Sequence, residues 1–411
     1  MAKKIIYSSF LLLCFSFFSY SQTIDSLQKK YPFLNTKENI IANSESLNYF
    51  FERLKSLEKK DLNNVSVLHI GDSHIQADYF PEFMRNKLQQ KFGNAGRGLI
   101  FPNKIARTNE SFCYKSSSNV KWKSRRIVNH KDTLNIGICG ISIFTKNQNA
   151  KLFLELNYND STLNYFNQIQ IFYKQTENNL VPVIIDSASK PIANQCPSRE
   201  LNGPLNFCYP SNQTVFGLAF ENPNNGLSDS AGFILHGINL MNNNPGVLYH
   251  SVGNNGAEFR HYNSATDFIL ESAFLSPQLI IISLGTNEAY AKNYNDAEFI
   301  SSADSLIKKL KVLHPNCTFL LTGPGDANKK YKYKNKNNGK ASKALENYAK
   351  ENNIAFYDLQ KVMGGFGAIN KWFYKGLTSK DKLHLNRAGY ELQGLLLYEA
   401  LMFEYKKYDR H

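Results

Sequence analysis

Cysteine is scarce in this chain, with six in 411 residues and no Cys-x-x-Cys pair among them. That argues against a thiolate zinc site. No segment repeats at a fixed period, so nothing points to a solenoid. Long apolar runs are missing as well: the one run, Phe10 to Phe18, is far shorter than the ~20 residues a membrane helix needs. Acidic side chains are the minority, 34 against 48 basic ones, for a formal charge of +14. No nucleic-acid-binding motif gathers that charge, so no nucleic-acid partner is expected. The wealth of apolar residues, 29 Phe and 23 Tyr included, excludes a disordered chain.

What is present begins with an export signal. MAKKIIYSSFLLLCFSFFSYSQ has two early lysines, the apolar run, and the small residues Ser19 and Ser21. It predicts a signal peptide over residues 1–21 and an exported protein, periplasmic or extracellular, with no integral membrane segment. Cys14 lacks the small residues that precede a lipoprotein processing site. Losing Lys3 and Lys4 lowers the charge from +14 to +12, and a basic exported protein is drawn to anionic polymers. The densest basic run, NKKYKYKNKNNGK (328–340), reads as a solvated loop rather than a groove. Export permits disulfides. The expected pair is Cys196–Cys208, with Cys317 left as a buried free thiol.

Two patterns alternate along the chain. Residues 44–60 and 77–92 have helical period around the strand VSVLHI (65–70), and a Gly-rich loop, GNAGRGLIFP, follows. From 106 to 245 the helical period gives way to short alternating runs such as AKLFLELNY and QTVFGLAFE, separated by turn residues. These predict an inserted β-sandwich. After 246 the α/β pattern resumes. Strands 65–70, 247–252, 279–285, 317–323 and 354–358 are nearly all apolar and spaced by helices, as in a parallel sheet covered on both faces. The expected organisation is therefore an α/β domain over 22–105 and 246–411, interrupted by the β block 106–245. A ligand site belongs beyond the carboxyl ends of the parallel strands.

Several short motifs fall there. LHIGDSHIQ puts Ser73 between Asp72 and His74 at a strand-to-helix turn. A serine hydroxyl becomes a nucleophile only with a base in reach and an acid to orient that base. Of nine histidines, His384 alone has a suitably placed acid, Asp381, three residues before it in TSKDKLHLNRAG. A developing oxyanion needs donors. The candidates are the Ser73 amide, the Gly253 amide in HSVGNNG and the Asn287 side chain in SLGTNEA. Asp72 is expected to cap the turn, and His74 either lines the pocket or packs.

The set GDSH (71–74), Gly253, GTNE (285–288) and D-x-x-H (381–384) resembles the four motif blocks of SGNH/GDSL hydrolases. The resemblance implies a flavodoxin-like, three-layer fold and a serine esterase that uses no metal or cofactor. It also implies Ser73 as nucleophile, His384 as base, Asp381 as its orienting acid, and Ser73, Gly253 and Asn287 as the oxyanion hole. His74 stands where the family has leucine, and Glu288 where it often has aspartate. The β block, GNAGRGLIFP and NKWFYKGLTSKDKLHLNRAGY (370–390) resemble peptidoglycan O-acetylesterases of the Ape1 type. That implies a carbohydrate-binding-like inserted domain and an O-acetylated glycan as partner, with the 6-O-acetyl of N-acetylmuramic acid as substrate.

Rival readings remain. Acetylated xylan would need the same residues. Asp72 and His74 could be an Asp-x-His of a metallophosphoesterase, but Glu288 stands where that site needs histidine. A non-catalytic glycan-binding protein has no use for Asp381 beside His384. Within the β block, exposed tyrosines or Trp122 could hold sugar, or the block could be scaffold.

Overall fold

The computed structural model describes residues 23–129, 135–156, 164–174, 180–186, 188–192, 194–195, 203–221 and 232–410. The predicted signal peptide and Cys196 lie outside them. Five strands build one parallel sheet: β1 (Asn64–Gly71), β2 (Gly246–Gly253), β3 (Leu279–Ser283), β4 (Thr318–Thr322) and β5 (Ala355–Tyr357). Their order is β2-β1-β3-β4-β5, so β1 lies inside the sheet between the chain that follows the β block and the strand leading to GTNE.

Successive side chains of a strand point to opposite faces, and each face of this sheet has its own core. Val65 and Val67 join Phe50, Leu54, Met84, Leu88 and Leu396. These come from the helices α1 (Asn48–Glu58), α3 (Tyr79–Phe92) and α9 (Arg387–Tyr408). Leu68 and Ile70 join Phe259, Phe299, Leu306 and Leu345 on the other face. Those belong to α4 (Phe259–Asn263), α6 (Asp296–Leu313) and α7 (Lys336–Glu351). Between them lie the short helices α2 (Ser73–Gln76), α5 (Thr286–Tyr290) and α8 (Ala368–Tyr374). The architecture is three-layer α/β with additional antiparallel sheets.

The antiparallel part is a sandwich. One sheet carries Lys123–Arg126, Ile141–Thr145, Phe233–Met241, Phe166–Lys174, Leu205–Gln213 and Asn194–Gln195 in that order. The other carries Tyr114–Ser118, Leu152–Leu156, Val215–Glu221 and Val181–Ile185. Phe166 of one sheet meets Phe216 of the other edge-on at 5.6 Å. This core is continuous with Leu68 and Ile70 of β1.

Three expectations change. Within the predicted Gly-rich loop, Gly98–Ile100 is a strand, paired with Ile238–Leu240 of the sandwich. Trp122 is buried, its indole N–H donating to Ser118 Oγ at 2.9 Å and its ring 6.0 Å from Phe220, so it offers no sugar platform. The basic run 328–340 is not one loop: Asn328–Lys329 pairs with Tyr333–Lys334, and α7 starts at Lys336. Asn335 caps that helix through Asn337 N–H, and buried Asn338 donates to the Gly325 carbonyl at 2.5 Å. Two asparagines that read as solvated are thus ordering the chain. Cys113, Cys139 and Cys317 are free thiols, Cys317 only half-buried. Cys208 is disulfide-bonded.

Candidate active site

Ser73 opens the four-residue helix α2 immediately beyond β1. The turn is tight because glycine precedes it: a Cβ at Gly71 would lie 2.2 Å from Ile75 Cγ1. Asp72 caps the helix, one carboxylate oxygen accepting from His74 N–H at 2.9 Å. This geometry turns the Ser73 hydroxyl toward the last loop before α9, where Ser73 Oγ stands 3.0 Å from His384 Nε2.

That loop is locally determined. Asp381 accepts the N–H groups of Leu383 and His384 on one oxygen, at 2.9 and 3.0 Å. Its second oxygen lies 2.7 Å from His384 Nδ1. Burial raises the Asp381 carboxyl, but the hydrogen bonds from His384 and the two amides outweigh it and hold the group below the ordinary carboxylate range. The structure brings Ser73, His384 and Asp381 into one continuous hydrogen-bonded line. Across 311 residues of sequence, the nucleophile candidate and the base candidate meet.

Asn287 sits in the first turn of α5. Its amide N–H₂ donates to the Ala257 carbonyl at 2.9 Å and, at a longer 3.3 Å, to Asp72. Gly253 ends β2, paired in register with Gly71. A Cβ there would fall 2.1 Å from Gln76 N, so the backbone of α2 requires glycine whatever else the amide does. Asp72 is buried, and desolvation pushes its carboxyl up to about 6 against the pull of His74 N–H, the His384 charge and Thr286. His74 pairs through Nδ1 with Tyr390 Oη at 2.9 Å, and its ring centre is 5.3 Å from that of His384. Burial, then the neighbouring His384, lowers its pKa to about 3, so it is neutral. Asp72 and His74 both line a cleft with Thr286, Asp326, Leu383 and Leu385. Ser73 does not line it.

Sequence reasoning missed two groups. Glu288, half-buried beside Asn287, accepts Phe259 N–H at 2.9 Å, while its other oxygen is buried without a partner. Desolvation raises its carboxyl to about 8. It fixes the start of α4, two residues past the Ala257 carbonyl that holds Asn287. The second group is a buried charge network behind the site. Asp78 and Glu82 face Arg85 and Arg97, and Asp78 also accepts from Ser111 and Ser251. Its signal was the stripe Pro81, Arg85, Gln89, spaced by four beside Met84 and Leu88 on the buried side of α3. Among the described residues, the one cluster of three metal-ligating side chains is Asp78, Glu82 and Cys113, whose charge the two guanidinium groups already balance. Asp72 and His74 form no such cluster.

Residues 235–392 match the GDSL-like lipase/acylhydrolase family, a span that holds Gly253, Asn287, Asp381 and His384 but not Ser73. A solved peptidoglycan O-acetylesterase superposes with a TM-score of 0.72 at 19% identity, over 87% of this chain and 96% of that one. A GDSL-like lipase from Bacteroides thetaiotaomicron overlays at TM-score 0.25 and 19% identity, over 37% and 74% of the two chains. A carbohydrate esterase family 3 protein from Talaromyces cellulolyticus gives TM-score 0.31 and 12% identity, over 40% and 73%. These last two overlaps are too loose to bear on function. No curated protein matches the chain. The O-acetylesterase likeness establishes the shared fold, with the parallel sheet and the added β-rich part together. Residues 235–392 are thus a GDSL-like lipase/acylhydrolase segment, set within a fold shared with a peptidoglycan O-acetylesterase.

Proposed function

We propose that the chain is exported and removes O-acetyl groups from a cell-wall glycan, the 6-O-acetyl of N-acetylmuramic acid in peptidoglycan, by an acyl-enzyme mechanism. The observation that carries the chemistry is the line from Ser73 Oγ to His384 Nε2 (3.0 Å) and from His384 Nδ1 to Asp381 (2.7 Å). His384 takes the Ser73 proton as the hydroxyl oxygen attacks the acetyl carbonyl carbon. Asp381 holds the proton on Nδ1 and stabilises the imidazolium. The tetrahedral oxyanion is received by the Ser73 amide, the Gly253 amide and Asn287. Asn287 Nδ2 keeps its bond to Ala257 and turns its longer contact, the one to Asp72, to the oxyanion. The sugar oxygen leaves with the histidine's proton. Water, deprotonated by the same imidazole, then releases acetate from Ser73.

The substrate reading draws on the fold shared with a peptidoglycan O-acetylesterase and on the export signal read from the sequence. The test is acetate release from O-acetylated peptidoglycan beside acetylated xylan, with Ser73→Ala as the control. The expected result is release from peptidoglycan, abolished by Ser73→Ala in a folded protein. Release from xylan alone refutes the substrate, and full turnover by Ser73→Ala refutes the mechanism.

A further inference from the structure

Nine large apolar side chains are exposed among the described residues, and five of them lie on, or contact, the hairpin 328–334 and α8. They are Tyr290 (37% exposed), Tyr331 (66%), Tyr333 (60%), Phe366 (52%) and Tyr374 (81%). All are aromatic. Tyr331 and Tyr333 lie on the hairpin 328–334, Phe366 lies two residues before α8, and Tyr374 is its last residue. Lysines knit the pieces together. Lys334 Nζ lies 5.3 Å from the centre of the Phe366 ring, and Lys382 Nζ 4.5 Å from that of Phe373 and 5.9 Å from that of Tyr374. Lys329 reaches Tyr290 in the same way, at 5.7 Å.

The charge on this face is one-sided. Segments 328–340 and 366–382 hold ten lysines and a single acid, Asp381, which is engaged with His384. Lys330, Lys332, Lys371, Lys375 and Lys380 have no carboxylate within 4.0 Å among the described residues. The face is also tied to the catalytic loop. The first hairpin residue, Asn328, donates its N–H to the Lys382 carbonyl at 2.8 Å, two residues before His384. Lys382 Nζ donates to Asn370 Oδ1 at 3.1 Å, joining α8 to the same loop.

We propose that this face is a binding platform for a carboxylate-bearing glycan strand, which it holds alongside the catalytic loop. The inference rests on the reading above that the substrate is an acetylated cell-wall glycan. Aromatic rings present flat apolar surfaces with polar edges, suited to the C–H faces of pyranose rings. Lysines between them supply mobile point charges for carboxylates along the polymer. The contacts of Lys329, Lys334 and Lys382 with the Tyr290, Phe366 and Tyr374 rings place both chemistries together. A purely apolar partner would leave that charge unmatched. Here the sandwich need not be the element that grips the glycan.

Binding is measured on Ser73→Ala protein, so that the polymer is not turned over, by co-sedimentation with O-acetylated peptidoglycan. Two double variants are added to it: Tyr333→Ala with Tyr374→Ala, and Lys332→Glu with Lys375→Glu. All four side chains are exposed, and thermal unfolding checks the fold. Each pair should weaken binding about tenfold, and raising NaCl from about 50 to about 300 mM should release the parent. Binding by both pairs equal to the parent overturns the platform. So does parent protein that prefers a DNA duplex or anionic vesicles to peptidoglycan. Acetate release by wild-type protein from the same material reads the esterase proposal separately. Binding through the platform without release defeats the esterase substrate alone, and release with undiminished binding by the variants defeats the platform alone.

Discussion

Replacing Asp381 by asparagine should be more damaging than replacing it by alanine, and the geometry says why. One Asp381 oxygen accepts the N–H groups of Leu383 and His384, and the other faces His384 Nδ1. In Asp381→Asn the side-chain carbonyl keeps the two amide bonds, since an NH₂ group there would meet two donors. The NH₂ is then left facing Nδ1, which must become an acceptor. Its proton moves to Nε2, the atom 3.0 Å from Ser73 Oγ. An Nε2–H cannot take the serine proton. The loss of a correctly protonated base is on the order of 10⁴ in kcat, about 5.5 kcal/mol of transition-state stabilisation. Alanine removes the orienting partner but leaves the productive tautomer accessible, so its kcat should exceed that of the asparagine variant. Initial rates with p-nitrophenyl acetate measure both, with near-ultraviolet circular dichroism to confirm the fold. An asparagine variant within tenfold of wild type, or an alanine variant slower than it, would refute the tautomer argument.

Other outcomes follow from the same contacts. Asn287→Ala should lower kcat by about 10²–10³ on the same ester, whereas an unchanged kcat would leave Asn287 a turn residue. Glu288→Gln should make stability less pH-dependent. The folded protein holds a proton on Glu288 to about pH 8, so the stability it lends is complete below the ordinary glutamate pKa of 4.5 and is lost as pH rises through 8. The variant keeps the acceptor for Phe259 N–H, so its thermal midpoint should overtake wild type by pH 9 and not at pH 4. Gly253→Ala should destabilise by about 1–3 kcal/mol in urea unfolding, because its Cβ meets backbone that can move only by shifting α2.

Much of this fold was legible because its signals are local. The five parallel strands announce themselves as nearly all-apolar runs, and Asp381 and His384 meet within one loop whose hydrogen bonds span three residues. What the sequence hides depends on tertiary context. The helical stripe through Arg85 does not say which charges it meets, and only the fold brings Arg97 from the next segment to pair with Asp78 beside Glu82 and Arg85. Glu288 looks like a neutral variation on aspartate, yet its longer side chain reaches Phe259 N–H and braces the chain that holds Asn287. Trp122 could have been platform or core by pattern alone, and only the packing against Phe220 decides. The run 328–340 misleads for a related reason, because Asn and Lys look solvated even where Asn335 and Asn338 are buried.

The β block interrupts the α/β domain without disturbing it because of where the chain leaves and returns. It departs after α3 and comes back as β2, which pairs with β1 from Asn64↔Gly246 through Gly71↔Gly253. Parallel neighbours always need a crossover between them, and the sandwich occupies the place of that connection. Since closure entropy grows only with the logarithm of loop length, lengthening an obligatory crossover is mild. The seam is also pinned: Gly98–Ile100 joins the sandwich sheet, and Asn254 donates to the Cys139 carbonyl immediately beyond β2. The sandwich therefore bears on the strand end that carries Gly253. Mutations at that seam should register at Gly253 and its neighbours before they register at Asp381, which is held by its own loop.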